Sequence, residues 1–251
     1  IEDKHPRSRL RVRFSTDIRS LTYDCGSQFG VVSRPTDQYN YKPEEEWVED
    51  PCGVFPSLMW LDYSDGKKGM TVMHKGIPGN EVRDGDVYLT LLRSVLMLSS
   101  DGNAGPAIPV PSAQELEKYV FRYSLYPHEG NWRDAASYKH ALEFTTGLDA
   151  MQLPNGTKTP LKRSFLKIEP EHIVLSALKR AEDGKGVILR CYETKGEEAD
   201  ARITLFREPK TVNVVNMLED EEVTKEVKKV GERIELTVNP FEIVTLKIQM
   251  S

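Results

Sequence analysis

This sequence has little of what usually betrays a catalytic centre. Its three cysteines, Cys25, Cys52 and Cys191, are far apart and show no Cys-x-x-Cys spacing. That leaves no cysteine-based metal knuckle and points to reduced thiols in a cytoplasmic setting. The five histidines, His5, His74, His128, His140 and His172, form neither a His-x-x-x-His nor a His-x-Asp pair. A catalytic zinc takes about three converging protein ligands, so spacing supplies no metal centre, although distant residues can still meet on folding. Gly-x-Ser-x-Gly and Gly-x-x-x-x-Gly-Lys-Ser/Thr do not occur, and with them go the serine-hydrolase elbow and the phosphate loop. No apolar run nears the roughly 20 residues of a membrane-spanning helix. A net charge of −5 argues against a nucleic-acid partner. No basic-then-apolar leader opens the chain. It starts at Ile1 rather than Met, which fits an excised or processed piece as well as a numbering choice.

What is present is a succession of strand signals. The 251 residues suffice for one large or two modest domains. Arg9 to Phe14 alternates arginine with Leu10, Val12 and Phe14, the period of a half-buried strand. Gly66 and Gly69 bracket a turn ahead of a strand from Met70 to His74. An Asp84-Gly85 turn leads into a long apolar strand from Val87 to Leu98, and Glu117 to Tyr126 alternates again. The one helical pattern runs from Trp132 to Phe144. The polar stretch from Met151 to Pro160 reads as a domain junction. Beyond it, short strands are expected at 165–168, 173–178, 187–192, 201–207, 211–217, 222–228, 233–238 and 241–248, the rhythm of a β-sandwich. Within them, His172 to Thr194 reads as a hairpin whose turn uses Gly184 and Gly186 for positive φ. The acidic run at Glu219–Glu222 reads as a solvated turn.

Three places hold candidate chemistry. The stripe Arg7, Arg9, Arg11 and Arg13 reads as a solvated strand face, with docking against another domain as its functional use. The cluster Tyr126 to Trp132 reads as a loop after a strand: aromatics there would stack on sugar faces while His128 and Glu129 bind hydroxyls, or Trp132 would simply plug the core. Arg93 interrupts an apolar strand and needs a partner or water, and Asp101 follows in an irregular loop. The two would serve a polar ligand or a structural ion pair.

Several segments, in collinear order, resemble the C-terminal half of the family-38 glycoside hydrolases, the retaining α-mannosidases: Gln28–Thr36, Glu45–Val82, the Leu-Leu-Arg strand at Leu91–Arg93 with its Asp-Gly-Asn-Ala-Gly-Pro loop, Phe121–Ala135, the hairpin His172–Thr194 and the ending Asn239–Ile248. The resemblance implies an all-β chain: part of an antiparallel β supersandwich of galactose mutarotase-like type over residues 1–160, then a smaller terminal β-sandwich over 161–251. It also implies that the zinc ligands and the Asp nucleophile belong to a catalytic domain not contained in this chain, so no catalytic residue and no metal or other cofactor is expected here. By segment order, Arg93 and Asp101 match a strand and loop that approach the substrate cleft in relatives. A single Arg stands where many relatives show a pair, since Ser94 follows. His128 and Trp132 complete the expected substrate-binding set. The expected partners are the catalytic domain of the same enzyme, carbohydrate, and a further copy of the chain, with neither nucleic acid nor membrane. The alternative is a stand-alone carbohydrate-binding β-sandwich that uses Tyr126, His128 and Trp132. A mutarotase-type enzyme would instead require His74, His128 and Glu129 to converge in one cleft.

Overall fold

Alternation in the sequence becomes alternation in burial wherever two sheets face each other. The computed structural model describes residues 1–2, 4, 6–36, 52–99, 105–222 and 225–250. They form two units, Ile1–Leu148 and Asp149–Ser251, which divide just ahead of the polar Met151–Pro160 stretch.

In the first unit, β1 (Arg9–Ser15), β4 (Phe55–Pro56), β7 (Gly79–Arg83) and β8 (Asp86–Arg93) make a four-stranded sheet in the order β1-β8-β7-β4. A five-stranded sheet has the order β3-β2-β5-β6-β9, built from β2 (Thr22–Ser27), β3 (Gly30–Pro35), β5 (Trp60–Ser64), β6 (Lys68–Lys75) and β9 (Arg122–Glu129). All pairings are antiparallel. Tyr23, Cys25, Leu61, Tyr63 and Val72 from one sheet meet Val82, Val87 and Leu89 from the other in a single buried cluster. Removing this much apolar surface from water is the main force holding the two layers together. The outer face of the five-stranded sheet is covered by α1 (Ser137–Thr146), which contacts β5 and β6.

Three expectations shift here. The long strand from Val87 ends at Arg93, where Ser94 turns its N–H to the Ser8 carbonyl. The alternating strand expected at 117–126 lies instead at Arg122–Glu129, so Tyr126 to Glu129 are strand rather than loop. The helix begins at Ser137 because Trp132 to Ala136 form turns, closed by Ala135 and Ser137 N–H groups donating to the Asn131 and Trp132 carbonyls.

In the second unit, β10 (Leu166–Glu169), β13 (Ala199–Leu205), β15 (Lys228–Val230) and β16 (Arg233–Val238) form one sheet. The other is formed by β11 (Ile173–Arg180), β12 (Val187–Glu193), β14 (Pro209–Val215) and β17 (Ile243–Met250). Ala199, Ala201, Ile203 and Leu205 alternate inward along β13 against Leu189, Cys191, Val244, Leu246 and Ile248 of the opposite sheet. This is a β-sandwich. The β11–β12 hairpin turns as expected, with φ of 72° at Gly184 and 115° at Gly186. A Cβ on Gly186 would lie 2.4 Å from the Ile248 carbonyl oxygen, so that position requires glycine on two counts. Glu219 is not solvated as expected: its side chain is 8% exposed, because it pairs with Lys179 at 2.8 Å and accepts the Glu182 N–H at 2.8 Å.

Candidate functional site

The outer face of the five-stranded sheet gathers a buried polar network under α1. Asp62 on β5 and Thr71 on β6 are register partners, and His128 on β9 stands opposite Gly69. Gly69 was expected in a turn; it lies inside β6, and its missing side chain is what lets His128 lean inward. The imidazole Nε2 reaches Asp62 Oδ1 at 2.7 Å, and Nδ1 donates to the Glu129 carbonyl at 3.1 Å. Thr71 Oγ1 donates to the same Asp62 oxygen at 2.6 Å. Its one proton is then used, so the 2.6 Å contact with Ser137 Oγ has Ser137 as donor.

Both imidazole nitrogens therefore donate, which defines the protonated ring. Burial pulls the His128 pKa down, but the hydrogen bond and charge of Asp62, aided by the Glu129 carbonyl, outweigh it and raise the net value. Chemically this is a clasp that fastens α1 and β9 to the sheet. The cationic ring has no lone pair to accept a proton, and the Ser137 hydroxyl is fully buried against Thr71, so no nucleophile is activated here.

Trp132, expected to touch sugar or to plug the core, is fully buried. Its ring lies 5.4 Å from Trp60 and 6.4 Å from Tyr138, and the Arg133 guanidinium covers it at 4.2 Å. A buried indole offers no face to a ligand. His74 lies on the opposite face of β6 from Thr71 by strand alternation, so the mutarotase-type set of His74, His128 and Glu129 does not converge.

The arginine stripe has a different outcome from a plain solvated face. Arg11 pairs with Glu81, and Arg13 reaches Asp86 at 2.5 Å. Arg83 shares Glu81 at 3.3 Å, and the Arg11 guanidinium covers the Tyr88 ring at 4.6 Å. Glu81 is 2% exposed, held between two cations, a burial that only such pairing allows. At the far end the pattern changes. A register shift between Leu10 and Arg11 returns Arg93 to the face of Thr90, opposite Arg9. Arg9 donates to Thr90 Oγ1 at 3.1 Å. Arg93, which was expected to be buried, is exposed because β8 is leaving the sheet at that residue. Neither has a carboxylate partner among the described residues. Two like charges directly opposite each other repel, so this end of the face favours an anion or a polar, acid-bearing surface.

Asp101 lies outside the described residues. No group of three or more His, Cys, Asp or Glu side chains that could hold a metal occurs among the described residues, and none of their helices is long and apolar enough to cross a membrane.

Two family models match the chain: the glycosyl hydrolases family 38 C-terminal domain over residues 4–102, and the family 38 C-terminal beta sandwich domain over residues 172–246. The chain belongs to the C-terminal β region of glycoside hydrolase family 38. Relatives of this family 38 region include the human alpha-mannosidase 2C1, 25% identical over 94% of this chain and 21% of its own. Alpha-mannosidase G of Dictyostelium discoideum is 28% identical over 95% of this chain and 20% of its own. Among solved structures, a family 38 glycosyl hydrolase from Enterococcus faecalis superposes with a TM-score of 0.79 at 23% identity, covering 99% of this chain and 27% of that one. These establish the fold. The chain spans about a fifth to a quarter of the length of the relatives it matches.

The two central features of this family 38 region escaped the sequence for different reasons. The Asp62 network has no motif, since its members lie 9 to 66 residues apart. Glu81 is one acid among 39, and only the β7–β8–β1 register shows that two arginines meet it.

Proposed function

We propose that this chain acts as the non-catalytic β region of a larger α-mannoside-hydrolysing enzyme, buttressing a catalytic domain and forming part of the wall of its substrate cleft. The observation that carries this reading is the asymmetry of coverage: relatives called alpha-mannosidases match nearly the whole of this chain with about a fifth of their own length. Zinc would be held by the catalytic domain, where it would bind sugar hydroxyls and stabilise charge during retaining hydrolysis. Arg9 and Arg93 supply the contact on this side. Their exposed pairing at the end of β8, with no carboxylate partner among the described residues, suits sugar hydroxyls or carboxylates of the neighbouring domain. The buried Cys25 and Cys191, neither in a disulfide, are in keeping with a cytoplasmic enzyme.

The test is complementation. A family 38 catalytic region expressed separately is assayed on an aryl α-mannoside with and without this chain. The chain alone is expected to be inactive with or without zinc, to raise the activity of the catalytic region when added, and to lose that effect on Arg93→Glu together with Arg9→Glu. Turnover by the purified chain alone, abolished by a mutation within it, would overturn the proposal. So would a catalytic region indifferent to its addition.

A further inference from the structure

Between the two sheets of the first unit, beside β2, β3 and β4, lies a cavity of about 290 Å³ whose lining includes Cys25, Gln28, Arg34, Pro56, Ser57 and Leu58. Its polar floor can be read proton by proton. Asn80 Nδ2 donates to the Pro78 carbonyl at 3.0 Å, which fixes the orientation of the amide. The same nitrogen donates to Ser57 Oγ at 2.9 Å, and Asn80 Oδ1 accepts the Cys25 thiol at 3.8 Å. His74 Nδ1 accepts the Ile77 N–H at 3.3 Å. The imidazole is neutral, because burial lowers its pKa to about 4. A neutral ring that accepts at Nδ1 carries its proton on Nε2, so the 2.7 Å contact between Nε2 and Ser57 Oγ has His74 as the donor.

Ser57 therefore accepts twice. Its own hydroxyl proton has no acceptor among the described residues, although the residue is 5% exposed. The second unspent donor lies on the same wall. The Arg34 guanidinium is held 4.7 Å above the Phe55 ring, and its Nε is buried with no hydrogen-bond partner. No carboxylate pairs with it among the described residues. Leaving a buried donor without an acceptor is costly, and here the residues that carry a cationic donor and a neutral one, Arg34 and Ser57, both line this cavity. Fixed donors without a matching acceptor are what an acceptor-only group satisfies, as a carboxylate or phosphate does.

We propose that this cavity is a binding site for a single small anionic group, a carboxylate or a phosphate, held by Arg34 and by the hydroxyl proton of Ser57. The site is separate from the Arg9–Arg93 end of the other sheet and does not depend on the mannosidase reading. Gly26 shapes its wall: a Cβ there would lie 2.5 Å from the Leu58 carbonyl oxygen and 2.6 Å from Trp60 Nε1, so this wall tolerates no larger residue without moving.

The experiment is an NMR titration of the 15N-labelled chain, at constant ionic strength held with chloride, using inorganic phosphate and acetate in separate arms. The Arg34 Nε–H resonance is expected to shift saturably with at least one of them. Saturation by phosphate alone assigns a tetrahedral ligand, and saturation by acetate alone assigns a carboxylate. Arg34→Gln is expected to weaken binding roughly tenfold or more, by loss of a charge-assisted bond, and Ser57→Ala by several-fold. Should Ser57→Ala fail to fold, because it removes the acceptor shared by His74 and Asn80, the Arg34→Gln arm decides. Shifts that grow linearly with both anions, or an affinity unchanged in Arg34→Gln, would overturn the proposal. That includes the case in which an acid of this chain already satisfies Arg34. A failure here leaves the complementation test untouched.

Discussion

The imidazole of His128 occupies the space that a side chain on Gly69 would need: a Cβ at that position would lie 2.3 Å from His128 Cε1 and 2.8 Å from Nε2. The glycine is the cavity into which a buried charge is fitted. The ring's place over Gly69 is what brings Nε2 to Asp62, whose carboxylate also holds Thr71 and through it Ser137.

Replacing Gly69 with alanine is therefore expected to break the clasp. The ring must leave Asp62, stranding a buried carboxylate one of whose oxygens already lacks a partner. We expect a loss of about 2–4 kcal/mol. All three tryptophans lie in the first unit, so urea unfolding followed by indole fluorescence reports on that unit. A midpoint equal to that of the unmodified chain would show that the ring can relocate without cost.

The two buried histidines titrate in opposite senses. His128 has a raised pKa, so its pairing with Asp62 is fully present below the unfolded value of about 6.5 and is lost as pH climbs through the higher folded value. His74 is depressed to about 4 by burial. Its neutral form is the one the fold prefers, so stability falls as pH drops from about 6.5 through 4, by about 3 kcal/mol in all. Replacing His74 with Gln should flatten the acid limb of the stability profile, and His128→Gln the alkaline limb, each read by urea unfolding at stepped pH. An acid limb that survives the first substitution would move its origin to other groups.

Glu81 neutralises Arg11 and Arg83 together while almost wholly buried. Glu81→Ala removes the buried carboxylate that the two guanidinium groups share beside Tyr88, and is expected to cost about 3 kcal/mol or more. Glu81→Gln keeps the shape and loses the charge, so it should fall between. Equal midpoints for the two variants would mean that charge alone sets the cost, and a Glu81→Gln midpoint equal to that of the unmodified chain would mean that packing does.

The terminal sandwich has its own buried carboxylate. Glu193 at the end of β12 accepts the backbone N–H groups of Lys195 at 2.5 Å, Gly196 at 2.7 Å and Phe241 at 3.0 Å. It thereby joins the loop after β12 to the one before β17. Glu193→Ala orphans three donors, and we expect a loss of about 3 kcal/mol. Residues 149–251 hold no tryptophan, so the readout is amide hydrogen exchange at Lys195, Gly196 and Phe241. Unchanged protection there would refute the role.

Much of the fold was legible because its cause is local. Strict alternation in Arg9–Phe14 and the paired glycines at 184 and 186 specify strand and turn from a few neighbouring residues, and the hairpin at 172–194 stands where its pattern says. The sites were not legible, because each is made across a ladder. Trp132 carries the same letters whether it stacks on a sugar or on Trp60. Arg93 looks buried in an apolar run and is exposed only because β8 ends there. Gly69 looks like punctuation, and its meaning appears only when β9 is laid beside it.

One consequence of the topology concerns how copies of the chain treat each other. β1 is the outer strand of its sheet, and its far edge has no strand beyond it among the described residues. Such edges invite identical chains to add themselves and grow into aggregates. An antiparallel copy centred on Arg11 would set Arg11 against Arg11 and Arg9 against Arg13. Arg11 and Arg13 have carboxylate partners of their own, but Arg9 has none among the described residues, so such a copy would bring uncompensated charge to an open seam, and a strand carrying acids of its own would pair there at less cost.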